Sequence, residues 1–292
     1  MELQQMRYIV AIAEEKSFTR AAQRCFVVQS SLSHQVKALE RELGVTLVAR
    51  SSRRVELTTA GEAFVAQARV SLDAAERALT DAAAADGQVR GTLTIGVIPT
   101  VTTIDIPASL GRFHAAYPAV TIRLRDGGSN EFIAAIAAGT MDVAVLGLPD
   151  GAPPTGISTR VMAREQLVAV VASDHPLSGR RRLRLDDLAE EKFVDFPAGT
   201  PGRMPSDLAF QAAGLHRDVA FEVMSTRLIL DLVRQGLVVA LLSPAVVPTN
   251  SEGLRTIPVT AGPTRVEYLA WSAFNPAPAA KALLDILAPA PG

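Results

Sequence analysis

The chain predicts an α/β protein with a small, mainly helical module in front of it. Three observations carry that prediction. Apolar residues in the first third recur at helical steps; from Gly91 onward, buried-strand runs alternate with helical stretches; a short glycine-containing segment separates the two patterns. At 292 residues the chain is also long for a single core, since a typical domain holds ~150 residues.

The first element is a helix with Leu3, Met6, Ile9, Val10 and Ala13 on one side. Ser17 fits an N-cap ahead of a second short helix that contains Phe18, Ala21, Ala22 and Cys25. Only "FVV" separates Cys25 from Gln29, so a turn of three or four residues leads into "QSSLSHQVKALERELG". There Leu32, Val36, Leu39 and Leu43 form an apolar stripe, while Ser30, His34, Lys37 and Arg41 follow the same steps on another side. Small Ala21 and Ala22 permit a close helix crossing, and the arrangement reads as a helix-turn-helix.

In that motif the second helix enters the major groove of DNA, and its first turns meet bases and phosphates. The residue types suit the task. Gln29 can read adenine through two hydrogen bonds, Ser31 and Ser33 can bond bases or phosphates, and Lys37 can neutralise a phosphate. Ser30, His34 and, from the preceding helix, Thr19 and Arg20 complete the candidate DNA-contacting set. Local charge agrees with this: residues 1–57 hold nine Lys/Arg against six Asp/Glu, and no acid falls between Arg20 and Lys37. A plain solvated helix face would explain the charge alone; the short turn and the Ala-Ala pair favour DNA.

Two short β-rich pieces, Thr46–Val48 and Val55–Thr58, flank the basic turn "ARSSRR". They read as a wing whose Arg53 and Arg54 reach the DNA backbone or minor groove. From Thr58 to about Ala85 there is no proline, and Phe64, Ala68, Leu72, Ala75, Leu79 and Ala82 recur at steps of three or four. A single helix so rich in alanine needs a partner along its stripe, and a second copy of the chain supplies one. "ADGQVRG" then acts as a linker.

Beyond it, "TLTIGVI", "VTIRLRD" and "DVAVLGL" alternate with helical stretches at Ile104–Ala116 and Asn130–Ala138, a βαβαβ pattern with a parallel sheet. "QLVAVVAS", "KFVDF", "VAFEV" and "VVALLSP" make a second set of strands, with helices near Arg203–Ala213 and Thr226–Gln235. "RVEYLAWSAF" and a helix at Ala277–Leu287 close the chain. Two α/β lobes joined by crossing strands leave a cleft, where ligands prefer strand ends and helix N-termini.

Other functions lack their signatures. The four histidines have no second His or Cys at metal-ligand spacing, and no Walker loop, dinucleotide fingerprint or nucleophile elbow occurs, so neither an enzyme nor a cofactor is expected. No apolar run approaches a membrane span, and the first sixteen residues do not read as a secretion leader. A cytoplasmic protein, nucleoid-associated when bound to DNA, is the expectation, and a transport component is disfavoured. With one cysteine, Cys25, an intramolecular disulfide switch is excluded.

The whole chain resembles the LysR-type transcriptional regulators. The residues that carry the resemblance are "MELQQMRYIVAIAEEKSFTRAAQRC", "QSSLSHQVKALERELGVTLVAR" and "LTTAGE", followed in order by "GTLTIGV", "GTMDVAVLG", "HPL" and "LVRQGLVVALLS". The resemblance implies a winged helix-turn-helix over 1–58 and a dimerising linker helix over 59–89. It implies a periplasmic-binding-protein-like effector domain over 90–292, with one lobe at about 90–161 and 266–292 and the other at about 162–265. Members of this family assemble as homodimers or homotetramers, bind promoter DNA, act with RNA polymerase, and respond to a small molecule in the interlobe cleft. Two departures stand out. Val28 occupies a position where Ser or Thr usually caps the recognition helix, which points to Ser30 or Ser31 as a shifted start. His34 replaces a common arginine, which implies a weaker salt dependence, and pH-sensitive binding if the imidazole titrates.

For the effector site the candidates are Thr100 and Thr102 after the first strand, Ser129 at a helix start, Thr200 and Arg203 on the second lobe, and Thr226 beside Ser225 at another helix start. Each hydroxyl also fits a plain helix cap. Arg203 points to an anionic metabolite, and an exposed salt bridge fits it equally well.

Overall fold

Helical periodicity in the first third becomes four helices and one hairpin. The computed structural model describes residues 1–50, 55–85, 88–151, 153–248 and 251–287. These divide into two units, Met1–Val89 with Ala138–Thr140, and the remainder.

The first unit contains α1 (Leu3–Glu15), α2 (Phe18–Arg24), α3 (Gln29–Leu43), β1 (Val48–Arg50), β2 (Val55–Leu57) and α4 (Thr59–Ala85). Its boundaries have chemical causes. Glu2 and Gln5 form a capping box on α1. The Ser17 hydroxyl accepts from the Arg20 amide at the start of α2. Gly44, left-handed at φ 71°, terminates α3. Ile9, Ile12, Ala21, Ala22, Leu32, Val36 and Leu39 bury together with Leu47 and Val65, whereas Leu43 lies outside this core at 38% exposure.

Two expectations are adjusted here, and one falls on residues that are not described. The helix start does not shift to Ser30 or Ser31: α3 begins at Gln29, and Leu32 N already donates to Val28 O at 3.2 Å, so Val28 holds the cap position without a side-chain bond. The hairpin pairs Val48 with Leu57 and Arg50 with Val55, which places Ala49 and Arg50 in a strand instead of the turn. Arg53 and Arg54 lie outside the described residues. On α4, Ala68 is buried, but Val70 and Leu79 are exposed at 40% and 69%.

The second unit is built on two sheets. In its first lobe the order is β4-β3-β5-β12-β6, with β3 at Gly91–Val97, β4 at Val120–Asp126, β5 at Val143–Pro149, β6 at Ser158–Gln166 and β12 at Thr264–Trp271. As the βαβαβ pattern requires, β3 is parallel to β4 and β5; β12 runs antiparallel to β5 and β6. The helices of this lobe are α5 (Ile106–Ala116), α6 (Ser129–Ala137) and α9 (Pro278–Ile286). The second lobe has an antiparallel sheet of β7 (Val168–Ala172), β10 (Ala240–Leu242) and β11 (Leu254–Pro258), in the order β10-β7-β11. A parallel pair, β8 (Lys192–Asp195) and β9 (Asp218–Glu222), joins it through a bridge between Phe193 and Val239. Helices α7 (Met204–Ala212) and α8 (Thr226–Arg234) belong to this lobe.

The wholly parallel sheet is therefore corrected to a mixed one, and β6 and β11 are strands that the sequence pattern did not announce. The lobe boundaries move as well. A division at 161/162 would cut β6, which runs to Gln166, and one at 265/266 would cut β12, which starts at Thr264. The chain crosses between lobes at Leu167, between β6 and β7, and again over residues 261–263, after Val259 and Thr260 have bonded to Leu183 of the second lobe. In the ladder next to both crossings, Arg265 stands opposite Glu165.

Candidate functional site

Two constellations in the structure can carry function, one in each unit. In the first, Leu32, Val36 and Leu39 anchor α3 in the core, which turns the opposite side outward. Gln29, Ser30, Ser31, His34 and Lys37 are exposed, and Ser33 is half-buried. Among the described residues the side chains of Gln29, Ser30, Ser31, His34 and Lys37 are claimed by no hydrogen bond within the chain, so their donors and acceptors are open to a partner. Thr19 and Arg20 on α2 are exposed too, although Arg20 is partly engaged by the Glu15 carboxylate at 3.4 Å.

The position of the wing depends on residues that sequence reasoning passed over. Glu40 Oε1 on α3 accepts from Leu47 N at 2.8 Å and Val48 N at 3.1 Å, tying the entry to β1 directly onto the recognition helix. At the other strand, Thr58 N donates to Leu47 O at 3.0 Å, and the Thr58 hydroxyl bonds Thr46 O at 2.6 Å. Gly61 packs so closely that a Cβ there would stand 2.0 Å from Leu47 O. The wing is thus tied to α3 through Glu40 and to the start of α4 through Thr58 and Gly61.

The second constellation is a cavity of about 50 Å³ between the lobes of the second unit. Ile98, Thr100, Ser129 and Gly147 line it from the first lobe, Leu167, Phe196, Thr200, Met224, Leu241 and Ser243 from the second or the crossing, and Arg265 from β12. Arg265 is buried. Its Nη1 donates to Thr100 Oγ1 at 2.7 Å and its Nη2 to Thr100 O at 2.8 Å. Nε and Nη2 lie 3.1 and 3.0 Å from Glu165 Oε2, and Nη2 lies 3.3 Å from Glu267 Oε2. The fully buried Glu267 carboxylate also accepts from the amides of Thr102 and Thr103 at 3.1 and 3.2 Å and from the Thr103 hydroxyl. Burial pushes the Glu165 carboxyl up, but the Ser243 hydroxyl, the Arg265 charge, and hydrogen bonds from Arg265 and Thr102 together hold it below its usual value.

Of the six residues expected at an effector site, the structure brings Thr100, Ser129 and Thr200 to the cavity wall and leaves three elsewhere. The Thr102 hydroxyl sits 3.0 Å from both Glu165 and Glu267, behind the wall. Arg203 is bound by Asp207 at 3.1 Å and Glu222 at 2.5 Å, so the salt-bridge alternative applies, with the guanidinium half-buried and not exposed, and its argument for an anion lapses. Thr226 lines a neighbouring groove with Met224 and Ser225, and Ser225 is a helix cap, its Oγ accepting from Leu228 N at 3.3 Å. Arg265, Glu165 and Glu267 were not foreseen. Their one sequence signal is a pair of charged residues, Arg265 and Glu267, at period two within the apolar strand "RVEYLAW".

Comparison with known proteins agrees with both halves. The model described as "Bacterial regulatory helix-turn-helix protein, lysR family" matches residues 3–62, and the "LysR substrate binding domain" matches residues 86–291. The uncharacterized HTH-type transcriptional regulator YnfL of Escherichia coli K12 is 32% identical over 262 residues, 89% of this chain and 88% of that protein. The hydrogen peroxide-inducible genes activator of Pectobacterium carotovorum is 32% identical over 254 residues, 86% of this chain and 83% of that one. Among solved structures, a cysteine variant of full-length OxyR from Pseudomonas aeruginosa superposes with a TM-score of 0.76 at 28% identity, covering 98% of this chain and 94% of the other. Full-length CbnR complexed with its target DNA gives 0.68 at 27% identity and 98% coverage of both.

Proposed function

This chain belongs to the LysR family of transcriptional regulators, and from that membership we infer that α3 reads promoter DNA while a small molecule in the interlobe cavity modulates the binding. The observation that supports the DNA contact is the outward face of α3, where Ser30, His34 and Lys37 stand exposed with no side-chain hydrogen bond among the described residues, and the opposite face is locked into the core. The contacts assigned to Thr19, Arg20, Gln29, Ser30, Ser31, Ser33, His34, Lys37, Arg53 and Arg54 belong to this proposal. So does assembly as a homodimer or homotetramer, since a second copy would cover the exposed Leu79 on the apolar stripe of α4. Contact with RNA polymerase and a cytoplasmic location at the nucleoid complete it; among the described residues no helix is long and apolar enough to cross a membrane. The reading assigns a regulator and no catalytic reaction.

The test is a fluorescence-anisotropy titration of the full chain with DNA from upstream of its own gene, against a scrambled duplex, at several salt concentrations. Lys37→Ala should weaken both duplexes alike and lower the salt slope by about one. Gln29→Ala should instead narrow the gap between specific and scrambled DNA by about ten-fold, as loss of a base contact worth roughly 1–3 kcal/mol requires. Unchanged discrimination would remove Gln29 from the reading set.

The peroxide response named for relatives should be absent here. Cys25 is the sole cysteine and lies at the end of α2, half-buried. Burial pushes its thiol up, against the pull of Arg24 and Arg7, so it forms little of the reactive thiolate. Millimolar peroxide should leave DNA affinity unchanged. A peroxide-dependent shift that disappears in Cys25→Ser would overturn this.

A further inference from the structure

We propose that the interlobe cavity selects a small uncharged ligand, with an apolar body and one hydrogen-bonding group, over the corresponding carboxylate. This rests on the effector reading above and specifies its ligand.

Size comes first. A cavity of about 50 Å³ is a third of the roughly 150 Å³ that holds a benzene ring, so a few heavy atoms fill it. The walls are chiefly apolar, formed by Ile98, Leu167, Phe196, Met224 and Leu241.

Charge decides the class. Arg265 is the one charged side chain among the described lining residues, and a lone buried guanidinium would call for an anion. It is not alone. Two carboxylates, Glu165 at 3.0 Å and Glu267 at 3.3 Å, already face it. An incoming carboxylate would be the third acid around one cation, in a setting where desolvation magnifies the repulsion.

The hydroxyls complete the match. Thr100 Oγ1 accepts from Arg265, which leaves its own proton to donate. Thr200 Oγ1 donates to Pro197 O at 2.7 Å, which leaves lone pairs to accept. Ser129 Oγ donates its proton to the Gly147 carbonyl at 3.1 Å and accepts from the Gly147 amide at 3.0 Å, so it has no proton left to offer a ligand. One free proton, on Thr100, and free hydroxyl lone pairs, on Thr200 among them, in an apolar chamber suit an amide or alcohol, which both accepts and donates.

The experiment compares propionamide with the isosteric propionate, each at about 100 mM, by thermal unfolding of the full chain, with sodium chloride balancing ionic strength. Propionamide should raise Tm by about 2 °C and propionate should not. Thr200→Phe, which fills the cavity, should abolish the rise; if that variant lacks a wild-type transition, Met224→Trp, on the same lobe, replaces it. In Glu165→Gln, with one acid removed, propionate should gain a rise of its own. A propionate rise in the wild type equal to that of propionamide, no rise with either, or a propionamide rise that survives cavity filling would overturn the proposal. DNA affinity measured alongside separates the two levels. A propionamide rise without any change in DNA binding defeats the effector reading and spares the ligand class. Propionate binding that alters DNA affinity does the reverse.

Discussion

Gly61→Ala will strongly destabilise the N-terminal unit and cost it DNA binding, although alanine is the better helix former. Gly61 lies in the first turn of α4 at an ordinary helical conformation, so propensity alone would make the substitution stabilising by about 1 kcal/mol. Space decides otherwise. The new methyl would stand 2.0 Å from the Leu47 carbonyl oxygen and 3.0 Å from its carbon, and backbone cannot swing aside as a side-chain tip can. That carbonyl is held by the Thr58 amide at 3.0 Å, so relief means separating α4 from the wing. Overpacking of this kind costs about 3 kcal/mol or more, a large share of a unit whose total stability is on the order of 5–15 kcal/mol. Circular dichroism should show an earlier transition for this unit, with loss of specific and nonspecific DNA binding together. A variant with unchanged melting and affinity would show that the wing and α4 part without cost.

The second large effect is expected from Arg265→Met, which keeps the volume of the side-chain stem and removes the charge. Two carboxylates then remain, Glu267 fully buried and Glu165 partly so, and breaking such a cluster from one side costs about 3–5 kcal/mol. The pH dependence has a definite sign. In the native protein the Glu165 carboxyl is held below its usual value, so its contribution is present above the unfolded carboxylate pKa and is lost as pH falls through the folded one. Without Arg265, burial dominates and the folded pKa rises above the unfolded one. The stabilising form becomes the protonated acid, and the deficit grows as pH increases through that raised value. Chemical denaturation at pH 5 and pH 8 should therefore find the variant closer to wild type at pH 5. A deficit that is larger at pH 5 would contradict the charge assignment.

The helical half of the molecule was legible because its signal is local. Leu32, Val36 and Leu39 repeat at helical steps, Ser17 is a cap, and Gly44 a stop; each is settled within a few residues of sequence. β6 escaped because "STRVMAREQ" carries three charges, and its burial alternates weakly along an edge strand; β11 escaped because "LRTIP" is short and ends in proline. The cavity was half legible for a related reason. Thr100, Ser129 and Thr200 lie at strand or helix ends, which sequence can locate. The Arg265–Glu165 pair spans a hundred positions and is assembled by a cross-strand register that no local pattern encodes. Arg203 shows the converse error, a chemically apt residue whose charge is spent on Asp207 and Glu222. The role of Glu40 is hidden for a similar reason, since its partners Leu47 and Val48 offer backbone amides, which every residue but proline has.

Val28 at the head of α3 leaves more than a missing bond. Its extended backbone starts the helix, and among the described residues the amides of Gln29, Ser30 and Ser31 find no acceptor in the chain. A serine or threonine at this position would have answered one of them internally, and the free protein would have been the more stable for it, by about 1 kcal/mol. Here that satisfaction is deferred. On the reading proposed above, the group that reaches those amides is a phosphate of the duplex, so the operator serves as the terminal residue of the protein's own helix, and folding and recognition are completed in one act.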